Sequence, residues 1–334
     1  MSTGKYVNNN SFFHPNKRQI IGQNQKMINS YFHEEGFFTQ LITGNTGQNP
    51  SQGYCLDYDR VIYKHSLKHQ DVISEFLDSM RVFEKRNVFT WISIFDVHHP
   101  LNKIPSFSAG SKMSINAHDY NSGEPPETKT TFKSFCYKTT ERHVEEIKKV
   151  DYHMKHLYDF IEMSYDDDEI LISLVSDHAT SSTIEVQNSN HILRKEKINV
   201  PFMIRGGDYK NIESSEMIEN VDILPSILNS CKIPIDLKTI DGRLPKELGG
   251  KEKDFVFCES IYPGQTYKAS IKDKNYECFL EGDALTKDDG IINLKNFLME
   301  IECIDTGKKI NDEKVHKVFL EKFRNKITTN ALWD

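Results

Sequence analysis

The chain has 334 residues, 37% of them hydrophobic and 11% aromatic, enough to build a sizeable core in one large domain or two modest ones. Its 42 basic and 49 acidic residues leave a net charge of −7, which argues against a protein that works by neutralising nucleic-acid phosphates. No run of about 18 apolar residues exists, so no membrane-spanning helix is predicted. The polar start carries no apolar signal-peptide segment, and the compartment stays open. The six cysteines, Cys55, Cys136, Cys231, Cys258, Cys278 and Cys303, form no Cys-x-x-Cys pair, which speaks against a zinc ribbon or a thioredoxin-like motif. They read as reduced, mostly buried thiols.

In chain order, Met1 to Gln19 is polar and Asn-rich and reads as an extended lead-in. A helix is predicted from Asn24 to Glu35 and ends at Gly36, followed by a strand over Phe37 to Thr43 and a loop. Ile73, Phe76, Leu77, Met80 and Phe83 recur at helical spacing and mark a helix over Asp71 to Lys85. The apolar run Asn87 to Phe95 suits a strand buried on both faces of a mostly parallel sheet. A long irregular stretch with Pro125-Pro126 follows, and a loop of that length is usually functional.

A long helix is predicted from Glu141 to Tyr165, its apolar face running from Val144 to Ile161. Asp151 is expected to pair with Lys155, and His153 and His156 to form a surface pair. Two more buried strands follow, one ending on Asp177-His178 and one over Asn199 to Gly207. Asp222 is a candidate N-cap for a short helix. After Gly249-Gly250 the pattern changes to short strands with turns and a final amphipathic helix over Asn311 to Asn325. The domains are therefore expected at 1–250 and 251–334.

Three features carry candidate chemistry. Asp177 and His178 end a buried strand, and ligands bind outside the carboxyl ends of strands in open α/β sheets. A carboxylate and an imidazole there suit a divalent cation, or else cap a loop. Asp96, His98, His99 and Pro100 end another such strand, where the alternative is a solvated turn stiffened by Pro100. His191, Arg194, Lys195 and Lys197 precede the strand at Asn199 and suit an anionic group, or else form a solvated loop.

In order along the chain, these features resemble the sulfatase family of the alkaline-phosphatase superfamily. Asp96-Val97-His98-His99-Pro100 is similar to that family's D-P-H-x-P, and Ser176-Asp177-His178-Ala179 to its S-D-H-G. Val150-Asp151, Val200 to Gly206, Val221 to Leu228, and Asp241-Gly242-Arg243-Leu244 resemble further family segments, as does Phe32 to Thr39. The resemblance runs from about Asn24 to the end. It implies a three-layer α/β/α sandwich with a small C-terminal antiparallel sheet plus helix. It also implies hydrolysis or transfer of a sulfate or phosphate ester, such as one carried by a glycan, with a divalent metal. By that resemblance calcium is the first choice of metal, with zinc, magnesium or manganese as alternatives. Asp177 and His178 become metal ligands, His98 the substrate-side histidine, and His191 or Lys195 the anion-holding group.

The departures are equally specific. The family's first strand with two acidic ligands, and its nucleophile in C/S-x-P-S-R, have no counterpart, and Ala179 replaces a glycine. The sequence therefore predicts half a metal site and weak metal affinity, in either the C-terminal part of a longer enzyme or a non-catalytic binding module. Without the first strand a sheet edge is bared, to be covered by another segment or by a partner chain or oligomer.

Overall fold

The structure is a computed structural model that describes residues 1–10, 25–45, 48, 50, 53–64, 67–83, 85–98, 137–179, 193, 195–207, 213–261, 264–287 and 290–333. The long irregular stretch after Pro100 lies outside them.

The N-terminal segment carries a short helix α1 (Val7–Asn10), followed by α2 (Ile28–Glu34) and strand β1 (Phe38–Thr43). Then come β2 (Arg60–Tyr63), α3 (His69–Phe83) and β3 (Val88–Ser93). The three strands form a parallel sheet in the order β2-β1-β3, with Leu41 opposite Val61 and Trp91. Paired on both sides, β1 is buried from Thr39 to Thr43. Its buried Gln40 amide is satisfied by the hydroxyls of Ser79 at 2.9 Å and Thr90 at 2.8 Å.

Strand alternation distributes the apolar side chains to two faces. Ile42, Ile62 and Ile92 meet Val72, Ile73 and Phe76 of α3 and Leu157 and Ile161 of α4 (Tyr137–Ser164). Phe89 and Trp91 meet Ile28 and Phe32 of α2 and Ile223, Leu224 and Leu228 of α6 (Ile223–Ser230). Between α4 and α6 lie β4 (Leu171–Val175), the four-residue helix α5 (Lys195–Ile198) and β5 (Phe202–Gly206).

β4 and β5 correct the expectation of strands buried on both faces. They pair antiparallel, Val175 opposite Phe202, and Met203 is 57% exposed. Gly206, at φ +104°, ends β5 where a Cβ would stand 1.8 Å from the Ile170 carbonyl oxygen. Leu171 and Val175 join the Trp91 cluster, and Ile170 and Ile172 the Ile92 cluster, so β3 and β4 feed the same two faces. Yet no described strand pairs with the outer edge of either, and every residue of both is only half-buried.

The C-terminal part contains β6 (Phe255–Ser260), β7 (Thr266–Asp273), β8 (Tyr276–Leu285), β9 (Ile292–Leu294), β10 (Phe297–Cys303), α7 (Glu313–Lys326) and β11 (Ala331–Trp333). It forms an antiparallel sheet in the order β10-β8-β7-β6 and a parallel β9–β11 pair. Phe319 and Phe323 of α7 pack with Tyr267, Ile271 and Leu280, and Asp312 caps α7 by accepting from the amides of Lys314 and Val315.

The polar lead-in is not merely extended. Thr3, Tyr6 and Asn8 are buried, and the Asp241 carboxylate accepts from the Tyr6 amide at 2.8 Å and the Asn9 side chain. The amides of Asp241 and Gly242 donate to the Gly4 carbonyl, and a Cβ on Gly242 would stand 2.1 Å from the Val221 carbonyl oxygen.

A buried ionic hub follows from the same clasp. Lys253 bonds both Glu219 and Asp222, the Tyr6 hydroxyl donates to Glu219 at 2.6 Å, and Lys326 donates to Tyr6 at 2.7 Å. Asp222 therefore does not act as the expected side-chain N-cap. Its carboxylate accepts from the amides of Glu219 and Arg243 and from Lys253, because a buried carboxylate left unpaired is costly.

Lys155 pairs with Asp159, one turn onward, rather than with Asp151. Cys55, Cys231, Cys258, Cys278 and Cys303 are free thiols, and of these only Cys278 is fully buried.

Candidate functional site

Of the sequence-predicted residues, Asp96 and His98 follow β3, and Asp177 and His178 follow β4. At the first, Asp96 is buried, and both its oxygens are spent on structure. One accepts from the His69 amide at the start of α3 at 2.8 Å, and the other lies 3.0 Å from His69 Nδ1 and 3.2 Å from Lys68 Nζ. This carboxylate fastens the end of β3 to the N-terminus of α3, where the helix dipole favours an anion.

His69 Nε2 lies 3.1 Å from His153 Nδ1, which also sits 2.8 Å from the Lys149 carbonyl oxygen. His153 also meets the His156 ring edge-on, with centroids 6.4 Å apart, as the expected pair. It links α4 to this anchor, because the polar side of α4 at that turn faces the start of α3. His98 is exposed on the anchored turn, its ring stacked on Phe95 with centroids 4.5 Å apart. His99 lies outside the described residues.

At the second loop, Asp177 and His178 are brought together. The His178 amide donates to Asp177 Oδ1 at 2.8 Å, and His178 Nε2 lies 3.6 Å from Asp177 Oδ2. His178 Nδ1 sits 3.0 Å from the Ala179 carbonyl oxygen, which can only accept, so Nδ1 is the donor of that contact. Both side chains are solvent-exposed.

The loop is held from two sides. Asn220 donates to the Asp177 carbonyl at 2.9 Å, and the Ala179 amide donates to the Lys197 carbonyl at 2.9 Å. Lys197 is half-buried, and burial pushes its ammonium below the usual lysine range while the Asp177 charge partly restores it.

The donor pair suits a divalent cation in type and spacing, since bonds of about 2.0–2.6 Å from an oxygen and a nitrogen span such a gap. Among the described residues, however, no group of three His, Cys, Asp or Glu side chains converges. Two donors do not make a complete metal site. Lys195 opens α5, and His191 lies outside the described residues. Lys197, two positions further on in α5, is held against the Asp177 loop through its backbone carbonyl. Asn220, the other support, carries no sequence signal of its own.

The chain is similar to known proteins in two ways. The family model described as Sulfatase matches residues 1–233. Among solved structures, a 2-O GAG sulfatase superposes with a TM-score of 0.59 at 13% identity, covering 97% of this chain and 78% of that one. A candidate sulfatase from Bacteroides thetaiotaomicron gives 0.60 at 13% identity, covering 97% and 79%. A protein solved with its substrate D-glucosamine-2-N,6-O-disulfate gives 0.60 at 12% identity, covering 98% and 86%. At such identities the structures speak for the fold. No curated protein matches the chain.

Proposed function

The chain belongs to the sulfatase family, and from that premise we propose that it acts on a sulfate or phosphate ester, most specifically one carried by a glycan. The observation that carries this reading is the Asp177–His178 pair, with an imidazole nitrogen and a carboxylate oxygen 3.6 Å apart on an exposed loop. In this proposal the pair supplies two ligands of a divalent metal, calcium by family resemblance or otherwise zinc, magnesium or manganese. The metal would polarise the ester.

His98, exposed on the turn that Asp96 anchors, is assigned the substrate side, where an imidazole can hold an oxyanion or protonate a leaving oxygen. His191 or Lys195 remains the proposed anion-holding group from the family pattern. The neighbour crystallised with a disulfated glucosamine supports a sulfated sugar as the substrate class. Residues 1–250 are read as a three-layer α/β/α sandwich and 251–334 as a small second domain, joined by the buried Glu219–Lys253 hub.

A second reading is a non-catalytic binding or assembly module on the same fold. It is favoured by the two-donor site and by the half-buried β3 and β4, whose outer edges pair with no described strand. A partner chain or a second copy would cover them.

One assay separates the readings. The purified chain is tested on p-nitrophenyl sulfate and p-nitrophenyl phosphate with calcium, magnesium, zinc or manganese. Turnover abolished by Asp177→Ala is the expected result. No turnover with any metal, or turnover indifferent to Asp177→Ala, rejects the hydrolase assignment.

A further inference from the structure

We propose that Asn220 is the positioning residue of the Asp177–His178 pair, and that the buried Lys253 hub sets where Asn220 stands. The C-terminal half of the chain then governs the metal affinity of the loop after β4. This role rests on the metal-ligand reading of that pair.

Asn220 reaches the loop from outside it. Its Nδ2 donates to the Asp177 carbonyl at 2.9 Å and lies 3.4 Å from the Ser176 carbonyl oxygen, partners 43 and 44 positions away in sequence. One carbonyl belongs to the residue that carries the carboxylate and the other to the residue before it. The contacts therefore fix the backbone from which the Asp177 side chain projects. The Ala179 amide, tied to the Lys197 carbonyl, holds the far end of the loop. Between these ties, and among the described residues, the exposed Asp177 and His178 side chains bond within the loop alone.

Asn220 is itself held. It opens the tight turn Asn220–Asp222, and the carboxylates on either side of it are both spent on the hub. Lys253 bonds Glu219 and Asp222. Glu219 also accepts from the Phe257 amide of β6 at 2.7 Å and from Tyr6, and Asp222 accepts from the Arg243 amide at 2.8 Å. Val221 packs in the core of the C-terminal sheet, and Ile223 in the cluster of Phe89 and Trp91. Glu219, Val221 and Asp222 are buried, whereas Asn220 is half-buried and gives its amide to the loop.

The consequence is one of populations. Two donors take a cation only in the loop conformers that bring them together, and apparent affinity falls with the fraction of those conformers. Loss of one such hydrogen bond changes that fraction by about three- to tenfold. The alternative is that water serves both carbonyls equally well, which would make Asn220 dispensable.

Manganese binding to the full chain, followed by the electron paramagnetic resonance of the ion, separates the two. Hydrogen exchange of the 171–179 segment is measured by mass spectrometry alongside it. The variants are Asn220→Ala, Asn220→Gln, Lys253→Met and the double variant Asn220→Ala/Lys253→Met. Lys326→Met, one bond further out on Tyr6, replaces Lys253→Met if that chain does not fold.

Asn220→Ala should weaken manganese about three- to tenfold and speed exchange of the segment by a similar factor. The spectrum of the bound ion should not change, because its ligands are the same. Asn220→Gln, which keeps the amide, should recover part of the loss. Lys253→Met should weaken manganese too, but no further in a chain that already carries Asn220→Ala, since the hub acts through that side chain. Affinity and exchange that Asn220→Ala leaves unchanged overturn the assignment, and additive losses in the double variant overturn the link to the hub. A wild-type chain that binds no manganese refutes the metal reading of the pair. Exchange then decides the positioning role alone: faster exchange in Asn220→Ala upholds it, and equal rates overturn it.

Discussion

Replacing Lys253 by Met tests whether the buried hub holds the two halves of the chain together. The Lys253 side chain is 8% exposed and its partners Glu219 and Asp222 are 4% and 1% exposed. Removing the ammonium leaves two carboxylates out of water. Their remaining donors are the Tyr6 hydroxyl, the Phe257 amide and the amides of Glu219 and Arg243. Breaking a buried ion pair by deleting one partner costs about 3–5 kcal/mol. Total stability of a domain is about 5–15 kcal/mol, so the loss is a large fraction of it.

The chain has two tryptophans, Trp91 in β3 and Trp333 in β11, so single-tryptophan versions report urea unfolding of each half separately. Both transitions should move together, because the hub binds residue 6, the 219–222 turn and the C-terminal sheet and helix. Adding Glu219→Gln and Asp222→Asn to Lys253→Met should restore most of the loss, since a neutral trio leaves no uncompensated charge.

The pH dependence has a defined sign. Burial holds the Asp222 carboxyl above the usual carboxylate range, and Lys253 pulls it down. Without Lys253 the carboxyl rises further, and a raised folded pKa means stability is lost as pH rises through that value. The penalty of Lys253→Met should therefore shrink on acidification. A loss below about 1 kcal/mol, a shift confined to the Trp333 transition, or a penalty that grows on acidification would refute the reasoning.

Gly242→Ala should destabilise by about 2–3 kcal/mol, because its Cβ would meet the Val221 carbonyl oxygen at 2.1 Å; a variant within about 0.5 kcal/mol of wild type in urea would contradict this close approach. At Asp273, burial pushes the carboxyl up, but Lys322 and the amides of Asn275 and Tyr276 hold it below the usual range. Its contribution is therefore present above the ordinary carboxyl pKa and lost as pH falls through the folded value. Asp273→Asn should cost about 1–2 kcal/mol at pH 7, with the gap to wild type closing below about pH 4; a constant gap down to pH 3 is the contrary outcome. Calcium calorimetry should give weak binding that Asp177→Ala removes, and micromolar or tighter affinity lost in that variant would show that two donors are not the whole site.

The helices and the longer strands were legible because their apolar spacing is strong. The apolar stripe of α3 reads directly as a buried face, and the run from Val88 to Ser93 reads as a strand, although each of its residues is only half-buried rather than buried on both faces. Strand direction was not legible, since alternation encodes which face a residue takes and not which way its neighbour runs. Hence β4 and β5 read as two members of a mostly parallel sheet, whereas they form an antiparallel pair. β2 is four residues long and β9 and β11 are three residues each, too short for a period to register. The lead-in misled for a different reason. Asn8 is 1% exposed because Glu259 accepts from both its amide and its side chain, and composition alone cannot foresee such a partner 251 residues away.

The site divides in the same way. A polar residue at a strand's carboxyl end is visible in sequence, but whether its charge is free for a ligand depends on what folds against it. Asp96 and Asp177 look alike as strand-ending aspartates. The first is spent on the His69 amide, the His69 ring and Lys68, while the second offers an oxygen 3.6 Å from an exposed imidazole nitrogen. A buried carboxylate that accepts from an amide and lies within 3.0–3.2 Å of an imidazole and an ammonium gains little by taking a metal, because it would first have to give these contacts up. An exposed carboxylate bonded through one oxygen to the next residue's amide keeps the other free. This difference, and not the motif, makes Asp177 the residue on which the metal and turnover experiments turn, and it predicts that Asp96→Asn acts through the anchoring of the His98 turn. Such a variant should lose stability first, and activity in proportion to it.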